Sequence, residues 1–268
     1  MEYATVLTIA GSDPSGGAGV QADIKTISAL GCYAASAITA LTIQNTMGVS
    51  DVFAIPTDVI RAQIEAVLSD VGAKAVKTGM LHNAEVVRMV ATSLRHYNIN
   101  NVVVDPVMVS TSGHRLIEET AIEALSSELL PCARIVTPNI PEAEILLGQP
   151  IRGQADLYEA ARLLSDRLGT SVLLKAGHLV GDQLIDICYD RECRVLLELP
   201  THRVDTPNTH GTGCTLSSAL ASYLAKGYTV GDAARAAKRY IDTAIQVGAR
   251  YTIGHGHGPV CHFFSTLD

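Results

Sequence analysis

The stretch Asn101-Val102-Val103-Val104-Asp105 decides the fold class of this chain. Three valines in a row, bounded by polar residues, are typical of a strand that is buried on both faces, as strands are in parallel sheets. Five more β-rich runs occur, at 4–10, 49–55, 73–78, 134–137 and 171–175. Because a helical pattern separates each run from the next, the sequence predicts an α/β fold with a mostly parallel central sheet and helices on both faces.

The helical patterns lie at 20–30, 57–71, 84–97, 118–130, 141–147, 155–168, 214–226 and 230–250. Two further β-rich runs, 185–189 and 194–199, flank the polar residues 190–193 and predict a small antiparallel hairpin at an edge of the sheet. The chain contains no Pro/Ser-rich linker, charge block or internal repeat. We therefore expect residues 1–268 to form a single domain.

The composition excludes several classes of function. A net charge of −7 over 268 residues disfavours a nucleic-acid or anionic-membrane partner. The apolar stretch 32–43 is shorter than the roughly 20 residues of a membrane-spanning helix. Six scattered cysteines without a CxxC pattern indicate neither a zinc site nor a disulfide framework, and favour the cytoplasm. His255 and His257 lack a third metal ligand at suitable spacing, so a flexible C-terminal turn is the better interpretation.

A phosphate-binding turn is predicted at Asn208-Thr-His-Gly-Thr-Gly-Cys-Thr215. Gly211 and Gly213 let the backbone turn tightly, and the helix that follows has unpaired amides pointing back at the turn. Converging N–H groups and the positive end of the helix dipole bind anions, above all phosphate. Since Cys214 lies in the same turn, it could act on the group that carries the phosphate.

Polar side chains follow three of the predicted strands. Asp105 ends one strand, and Asn139 and Glu142 come after another. Ligands bind beyond the carboxyl ends of strands in open α/β sheets, and three oxygen-bearing side chains suit a hydrated Mg²⁺. The alternative is that Asn139 caps a helix with Glu142 as its partner. Lys175 closes a third strand, where it could contact phosphate as a point charge or be merely solvated.

The glycine-rich segment 11–19 follows the first strand, where its backbone could approach a ligand closely. Residues 17–22 fit the dinucleotide pattern GxGxxA, but no acidic residue follows about 20 positions later, and no P-loop sequence occurs. Asp23 lies one turn into the first predicted helix. It could contact a ligand, or it could only compensate the helix dipole. Gln44, at the end of an apolar run, could be a polar cap or offer an amide to a heterocycle.

Several stretches together resemble one family, and they occur in the same order along nearly the whole chain. They are LTIAGSDPSGGAGVQADIKT (7–26), ITALTIQNT (38–46), VKTGML (76–81), VVVDPVM (102–108), TPNIPEAEILL (137–147), LLKAGH (173–178), NTHGTGCTLSSAL (208–220) and GHGHGPVCHF (254–263). The chain resembles the ribokinase-like kinases, and among them the hydroxymethylpyrimidine/phosphomethylpyrimidine kinases of thiamine biosynthesis. The resemblance implies ATP and Mg²⁺ as cofactors, an aminopyrimidine substrate phosphorylated to its monophosphate and then to its diphosphate, and a homodimer.

The resemblance also implies roles for individual residues. The pyrimidine pocket would be lined by Ala18, Asp23, Gln44, Met80 and Val107, with Asp23 and Gln44 as its polar contacts. The anion hole would consist of Gly211, Thr212 and Gly213. Asp105 and Glu142, with Asn139 behind them, would organise Mg²⁺ and the phosphates. Lys175 and Lys238 would lie near the nucleotide.

Cys214 separates this chain from most ribokinase-like sugar kinases, which have an aspartate at that position. A helix N-terminus can lower a thiol pKa from about 8.5 to roughly 3.5–7.5. We therefore expect a thiolate that positions the substrate hydroxyl and accepts its proton late, since phosphoryl transfer needs little help from a strong base.

Three other functions remain open at this stage. A pyridoxal kinase of the same subfamily is the closest alternative, and Gln44 is the best discriminator, because an apolar residue is expected there in pyridoxal kinases. An NAD(P)-dependent oxidoreductase rests only on the GxGxxA match. A non-catalytic pyrimidine-binding protein is disfavoured by the joint presence of Asp105, Glu142, Lys175 and Cys214.

Overall fold

The computed structural model describes residues 2–108 and 119–267, apart from the side chain of residue 119. The strands are β1 (Thr5–Ser12), β2 (Tyr33–Asn45), β3 (Gly48–Ala54), β4 (Ala75–Thr78), β5 (Val102–Val104), β6 (Ile135–Val136), β7 (Ser171–Leu174), β8 (Gln183–Asp190) and β9 (Val195–His202). All of them belong to one sheet, in the order β3-β2-β1-β4-β5-β6-β7-β8-β9. The six central strands, β2-β1-β4-β5-β6-β7 in sheet order, pair in parallel. At one edge β3 pairs antiparallel to β2, and at the other edge β8 and β9 pair antiparallel as well. The predicted parallel sheet and edge hairpin are confirmed.

The helices are α1 (Gly19–Ala29), α2 (Thr57–Asp70), α3 (Ala84–His96), α4 (Glu119–Ala124), α5 (Ile140–Leu147), α6 (Gln154–Leu168), α7 (Thr212–Ala225) and α8 (Val230–Gly248). A π-helical turn, Leu125–Leu129, and a 3-10 turn, Leu130–Cys132, continue α4, and another 3-10 turn, Phe264–Thr266, lies near the C-terminus. The first residue of the predicted helix 118–130 lies outside the described residues. No helix in the described part of the chain is long and apolar enough to cross a membrane.

The helices form two layers, one on each face of the sheet, as the three valines of β5 illustrate. Val103 packs in the buried cluster with α1, α7 and α8. Val102 and Val104 pack in the opposite cluster, with α2 to α6. Because side chains alternate along a strand, a strand covered on both faces must be apolar at every position.

The strand β2 was missing from the predicted set, although it is 13 residues long. Its early part, rich in alanine, has little intrinsic preference for a strand. Hydrogen bonds to neighbouring strands stabilise β2 instead. Tyr33 to Leu41 pair with β1, and Ala40 to Asn45 pair with β3. This second pairing also makes β3 an antiparallel edge strand, which the alternation of strands and helices did not predict.

Helix α7 begins where two loops approach each other closely. Its N-cap, Gly211, has φ +78°, and a Cβ added there would lie 1.8 Å from the carbonyl oxygen of Gly17. The turn 208–215 and the glycine-rich segment 11–19 therefore touch backbone to backbone, which only glycine at position 211 permits.

Replacing Gly211 by alanine should destabilise the fold more than the same change at Gly148. Gly148 ends α5 with φ +73°, but open space surrounds its added Cβ. Gly148→Ala should therefore show only the strain of a left-handed alanine, about 1–2 kcal/mol. Gly211→Ala adds a backbone clash, and we expect a loss of roughly 4 kcal/mol or more in the free energy of unfolding, measured by urea titration. Equal losses for the two variants would contradict the close approach.

Candidate active site

A cavity of about 720 Å³ opens beyond the carboxyl ends of the parallel strands. Its walls include the segment after β1, the end of β2, the residues that follow β4 to β7, and the turn that starts α7. The volume lies within the range of about 300–1,000 Å³ that is usual for small-molecule sites. The strand-end rule used with the sequence therefore located the cavity.

The amino end of α7 lies next to a charged pair on the cavity wall. A Cβ added at Gly213 would lie 3.4 Å from Asp105 Oδ2 and 3.5 Å from Lys175 Nζ. The amides of Gly213 and Cys214 donate to no backbone acceptor outside the helix among the described residues. Unpaired amides at a helix start attract anions, so the turn is a candidate anion site directly beside Asp105 and Lys175.

Asp105, Lys175 and Glu142 form a buried charged group. Asp105 Oδ1 accepts from Lys175 Nζ at 3.0 Å and from Thr137 Oγ1 at 2.9 Å. Burial would raise the pKa of Asp105, but Lys175 and Lys77 hold it below its usual value. Burial raises the pKa of Glu142 to about 7, opposed by Lys175 and assisted by Asp105. Within this group Asp105 is therefore the more readily ionised carboxyl, and Lys175 supplies the opposite charge.

Asn139 caps α5. Its Oδ1 accepts from the Glu142 amide at 2.9 Å, and Glu142 Oε2 accepts from the Asn139 amide at 2.8 Å. The capping box weighed from the sequence is therefore formed, and it holds the Glu142 carboxylate in place. Both residues also line the cavity, so capping and a role in the site do not exclude each other.

A second polar group lies where the segment 11–19 meets the turn. Asp13 Oδ2 accepts from the Ala18 amide at 2.8 Å and from His210 Nε2 at 2.8 Å. Burial opposes ionisation of Asp13, but these bonds and those from Ser15 lower its pKa to about 2. Gln44 Nε2 is placed 3.1 Å from the same nitrogen of His210. No role for Asp13 or His210 was predicted from the sequence, although Asp13 lies in the glycine-rich segment 11–19 and His210 in the turn 208–215.

The comparisons with known proteins decide which family this site belongs to. Residues 13–261 match the profile of the phosphomethylpyrimidine kinase family. The chain belongs to this family.

Relatives and solved structures agree with that assignment. The hydroxymethylpyrimidine/phosphomethylpyrimidine kinase of Rhizobium meliloti (strain 1021) is 48% identical over 261 residues, 97% of this chain and 97% of that protein. The crystal structure of phosphomethylpyrimidine kinase from Clostridium difficile 630 is 44% identical, with a TM-score of 0.79 over 90% of this chain and 99% of that one. Pyridoxal kinase from Staphylococcus aureus, solved with AMP-PCP and pyridoxal, is 35% identical, with a TM-score of 0.90 over 99% and 96%. The predicted family and ribokinase-like fold are confirmed.

In this member of the phosphomethylpyrimidine kinase family, four of the residues expected in the pyrimidine pocket lie on the cavity wall. They are Ala18, Gln44, Met80 and Val107. Asp23 does not, which corrects the expectation of a polar contact between its carboxylate and the ring. The Asp23 side chain is fully buried and accepts from Lys77 Nζ at 2.8 and 2.9 Å, from Ser218 Oγ at 2.7 Å and from Thr8 Oγ1 at 2.5 Å. Its oxygens are saturated by protein donors, so none remains for a ligand.

Lys77, unlike its partner Asp23, lies on the cavity wall. Burial alone would lower the pKa of Lys77, but Asp23 and Asp105 raise it above its ordinary value. It is the bulkiest fully buried side chain in the described part of the chain. The available signal was a lysine within the buried strand Ala75–Thr78, because a charge at such a position demands a partner.

Cys214 is a thiol rather than the expected thiolate. Burial raises its pKa to about 11, and Asp23 and Asp105 add to that rise. Lys77 and a hydrogen bond from the Gly19 backbone oppose it without reversing it. The expectation of a lowered pKa was wrong because two carboxylates and exclusion of water outweigh the helix end at this position.

Lys238 lies on the cavity wall but is bound to carboxylates. Its Nζ is 2.8 Å from Asp186 Oδ2 and 3.3 Å from Asp242 Oδ1. Asp186 Oδ1 also accepts from the Ala176 amide at 2.7 Å, which joins this group to the end of β7. A contact between Lys238 and phosphate stays a prediction.

The described residues contain no group of three or more His, Cys, Asp or Glu side chains that could hold a metal alone. A Mg²⁺ site of two carboxylates, Asp105 and Glu142, whose remaining ligands would be water and phosphate, stays a prediction. The turn with His255 and His257 is tied to the β2–β3 connection, since both amides donate to Thr46, at 3.2 Å to Oγ1 and 2.8 Å to the carbonyl oxygen respectively.

Proposed function

We propose that this chain transfers the γ-phosphoryl group of ATP to the hydroxymethyl group of 4-amino-5-hydroxymethyl-2-methylpyrimidine. A second transfer, to the resulting monophosphate, would give the diphosphate used in thiamine biosynthesis. The observation that carries the proposal is a single cavity with two ends. One end is lined by the Gln44 amide and by apolar side chains, and the other by the candidate anion site at the start of α7. The relative from Rhizobium meliloti, a hydroxymethylpyrimidine/phosphomethylpyrimidine kinase at 48% identity, supports the same substrates.

The residues on the cavity wall would have separate roles in phosphoryl transfer. Asp105 and Glu142 would hold Mg²⁺, which when bound offsets the negative charge of the phosphates. The amides of Gly213 and Cys214 would face the oxygens of the transferred group, with Lys175 beside them as a fixed positive charge. Phosphoryl transfer depends mainly on such positioning and charge stabilisation.

A turnover assay tests the proposal directly. ADP release should follow addition of Mg-ATP with either the hydroxymethylpyrimidine or its monophosphate, should be slower with pyridoxal, and should stop when EDTA removes the metal. A matched variant, Gln44→Met, should lose at least about tenfold in kcat/KM for the pyrimidine and little for pyridoxal. The polar group of the pyrimidine that binds the Gln44 amide would then face an apolar side chain without a hydrogen-bond partner. No turnover with any of the three substrates would refute the kinase assignment.

A pyridoxal kinase is the second candidate, favoured by the TM-score of 0.90 to the Staphylococcus aureus enzyme. The same assay separates the two candidates, since faster turnover of pyridoxal than of both pyrimidines would reverse the preference. Higher identity to the pyrimidine kinases, 48% against 35%, supports the pyrimidine assignment.

Substitution of Cys214 tests how its thiol takes part. Cys214→Ala should lower kcat by about 10²–10⁴, the scale of an acid–base group. With a pKa of about 11, the thiol is un-ionised at pH 7, so we infer that it positions the substrate hydroxyl by a hydrogen bond. Cys214→Ser, which keeps that bond but does not ionise, should therefore retain kcat within about tenfold. A serine variant as slow as the alanine variant would favour the base role, and an alanine variant within a few-fold of wild type would exclude both.

We also infer a homodimer that covers the outer face of β2 and β3. Leu41 and Phe53 are paired across these strands and are 44% and 64% exposed, and Ile43 on the same face is 59% exposed. Contiguous apolar side chains of this kind are typical of an interface. Sedimentation velocity at micromolar concentration should show a dimer, Phe53→Asp should give a monomer, and Val180→Asp, at an exposed loop residue, should not. A monomeric wild type would contradict the inference.

The cytoplasmic location stays a prediction. Its support is that all six cysteines are free thiols, as a reducing compartment favours. Recovery of the protein from a periplasmic or membrane fraction of its cells would contradict it.

A further inference from the structure

The C-terminal segment 251–262 contacts two walls of the cavity. On one side, the amide of His210 donates to Gly258 O at 3.0 Å, and Asn208 Nδ2 donates to Tyr251 O at 2.7 Å. On the other side, the amide of His257 donates to Thr46 O at 2.8 Å, in the connection between β2 and β3. The segment therefore joins the anion-binding turn to the strands that carry Gln44.

His262, near the end of this segment, reaches the first turn of α7. Its side chain is buried, and its Nε2 lies 3.1 Å from Thr215 Oγ1. Thr215 Oγ1 in turn lies 2.8 Å from the carbonyl oxygen of Gly211. The backbone of His262 is itself fixed, because Tyr240 OH donates to its carbonyl oxygen at 2.6 Å.

The direction of these bonds follows from what each group can donate. The Gly211 oxygen only accepts, so the single hydroxyl proton of Thr215 belongs to that bond. His262 Nε2 must then carry a proton and donate it to Thr215 Oγ1. Burial, with a smaller contribution from Lys25, lowers the pKa of His262 to about 4, so the ring is neutral at pH 7 and this is its one N–H group.

We propose that His262 is a positioning residue for phosphoryl transfer, acting through Thr215 on the carbonyl group of Gly211. The peptide unit is planar, so fixing the Gly211 oxygen also fixes the Thr212 N–H and the plane from which α7 begins. The amides of Gly213 and Cys214, which form the anion site, take their direction from that first turn. This inference rests on the proposed function of the turn in binding the transferred phosphoryl group.

The test is a double-mutant cycle on His262→Leu and Thr215→Val, with kcat, KM and melting temperature measured for each variant. Each single change should lower kcat about tenfold, less than the roughly 10²–10³ lost when an oxyanion-hole donor is removed outright. KM for the aminopyrimidine should stay within about threefold. The double variant should be no slower than the worse single variant, because both changes break one chain of bonds.

Two further variants separate positioning from stability. His262→Gln keeps an N–H donor near the position of Nε2 and should restore most of kcat, whatever its melting temperature. His255→Leu changes an exposed histidine of the same segment and should leave kcat unchanged. Additive effects in the cycle, or an unchanged kcat in folded His262→Leu, would overturn the inference. Because wild type is measured in the same assay, its failure to turn over would instead refute the proposed function.

Discussion

The buried ion pair between Lys77 and Asp23 is the constraint on which the site depends. It links β4 to α1, and the Asp23 carboxylate also binds Thr8 of β1 and Ser218 of α7. A charge left without its partner in such a place is strongly destabilising, so these four elements have little freedom to move apart. The start of α7 is thereby held at a set distance from the strand ends, and the anion-binding turn lies where Asp105 and Lys175 can face it.

The same charges explain the state of the thiol. Two lysines, Lys77 and Lys175, lie among the carboxylates Asp23, Asp105 and Glu142, and burial raises the pKa of Glu142 to about 7. The opposite charges around the thiol therefore largely offset one another. A thiolate at Cys214 would add an unbalanced negative charge in a region with little water, which outweighs the attraction of one helix end. Burial therefore decides this pKa, and the helix dipole only moderates it.

The sequence predicted what depends on local pattern or on the general geometry of parallel sheets. Among the described residues, alternating strand and helix patterns identified every α-helix and all strands but one. The strand-end rule grouped Asp105, Glu142, Lys175 and the turn 208–215 around one cavity. The sequence patterns missed β2, whose alanine-rich half forms a strand because it pairs with β1. They also missed the partners of buried charges. Lys77 and Asp23 are 54 positions apart, and His210 and Asp13 are 197 apart, so no local periodicity connects them.

The distinction between pyrimidine and pyridoxal kinases also lies below the level of the backbone. The fold resembles a pyridoxal kinase at a TM-score of 0.90 and a pyrimidine kinase at 0.79, so fold similarity cannot choose the substrate. Side-chain polarity can. Asp13 is ionised, so His210 Nε2 must donate to it. That nitrogen cannot also accept from Gln44, and because amide oxygen and nitrogen are assigned from their bonds, Gln44 is best placed with its oxygen toward His210. The proton on His210 Nε2, which the ionised Asp13 carboxylate accepts in a hydrogen bond, thus leaves the NH2 group of Gln44 as the end of the amide that can face a ligand.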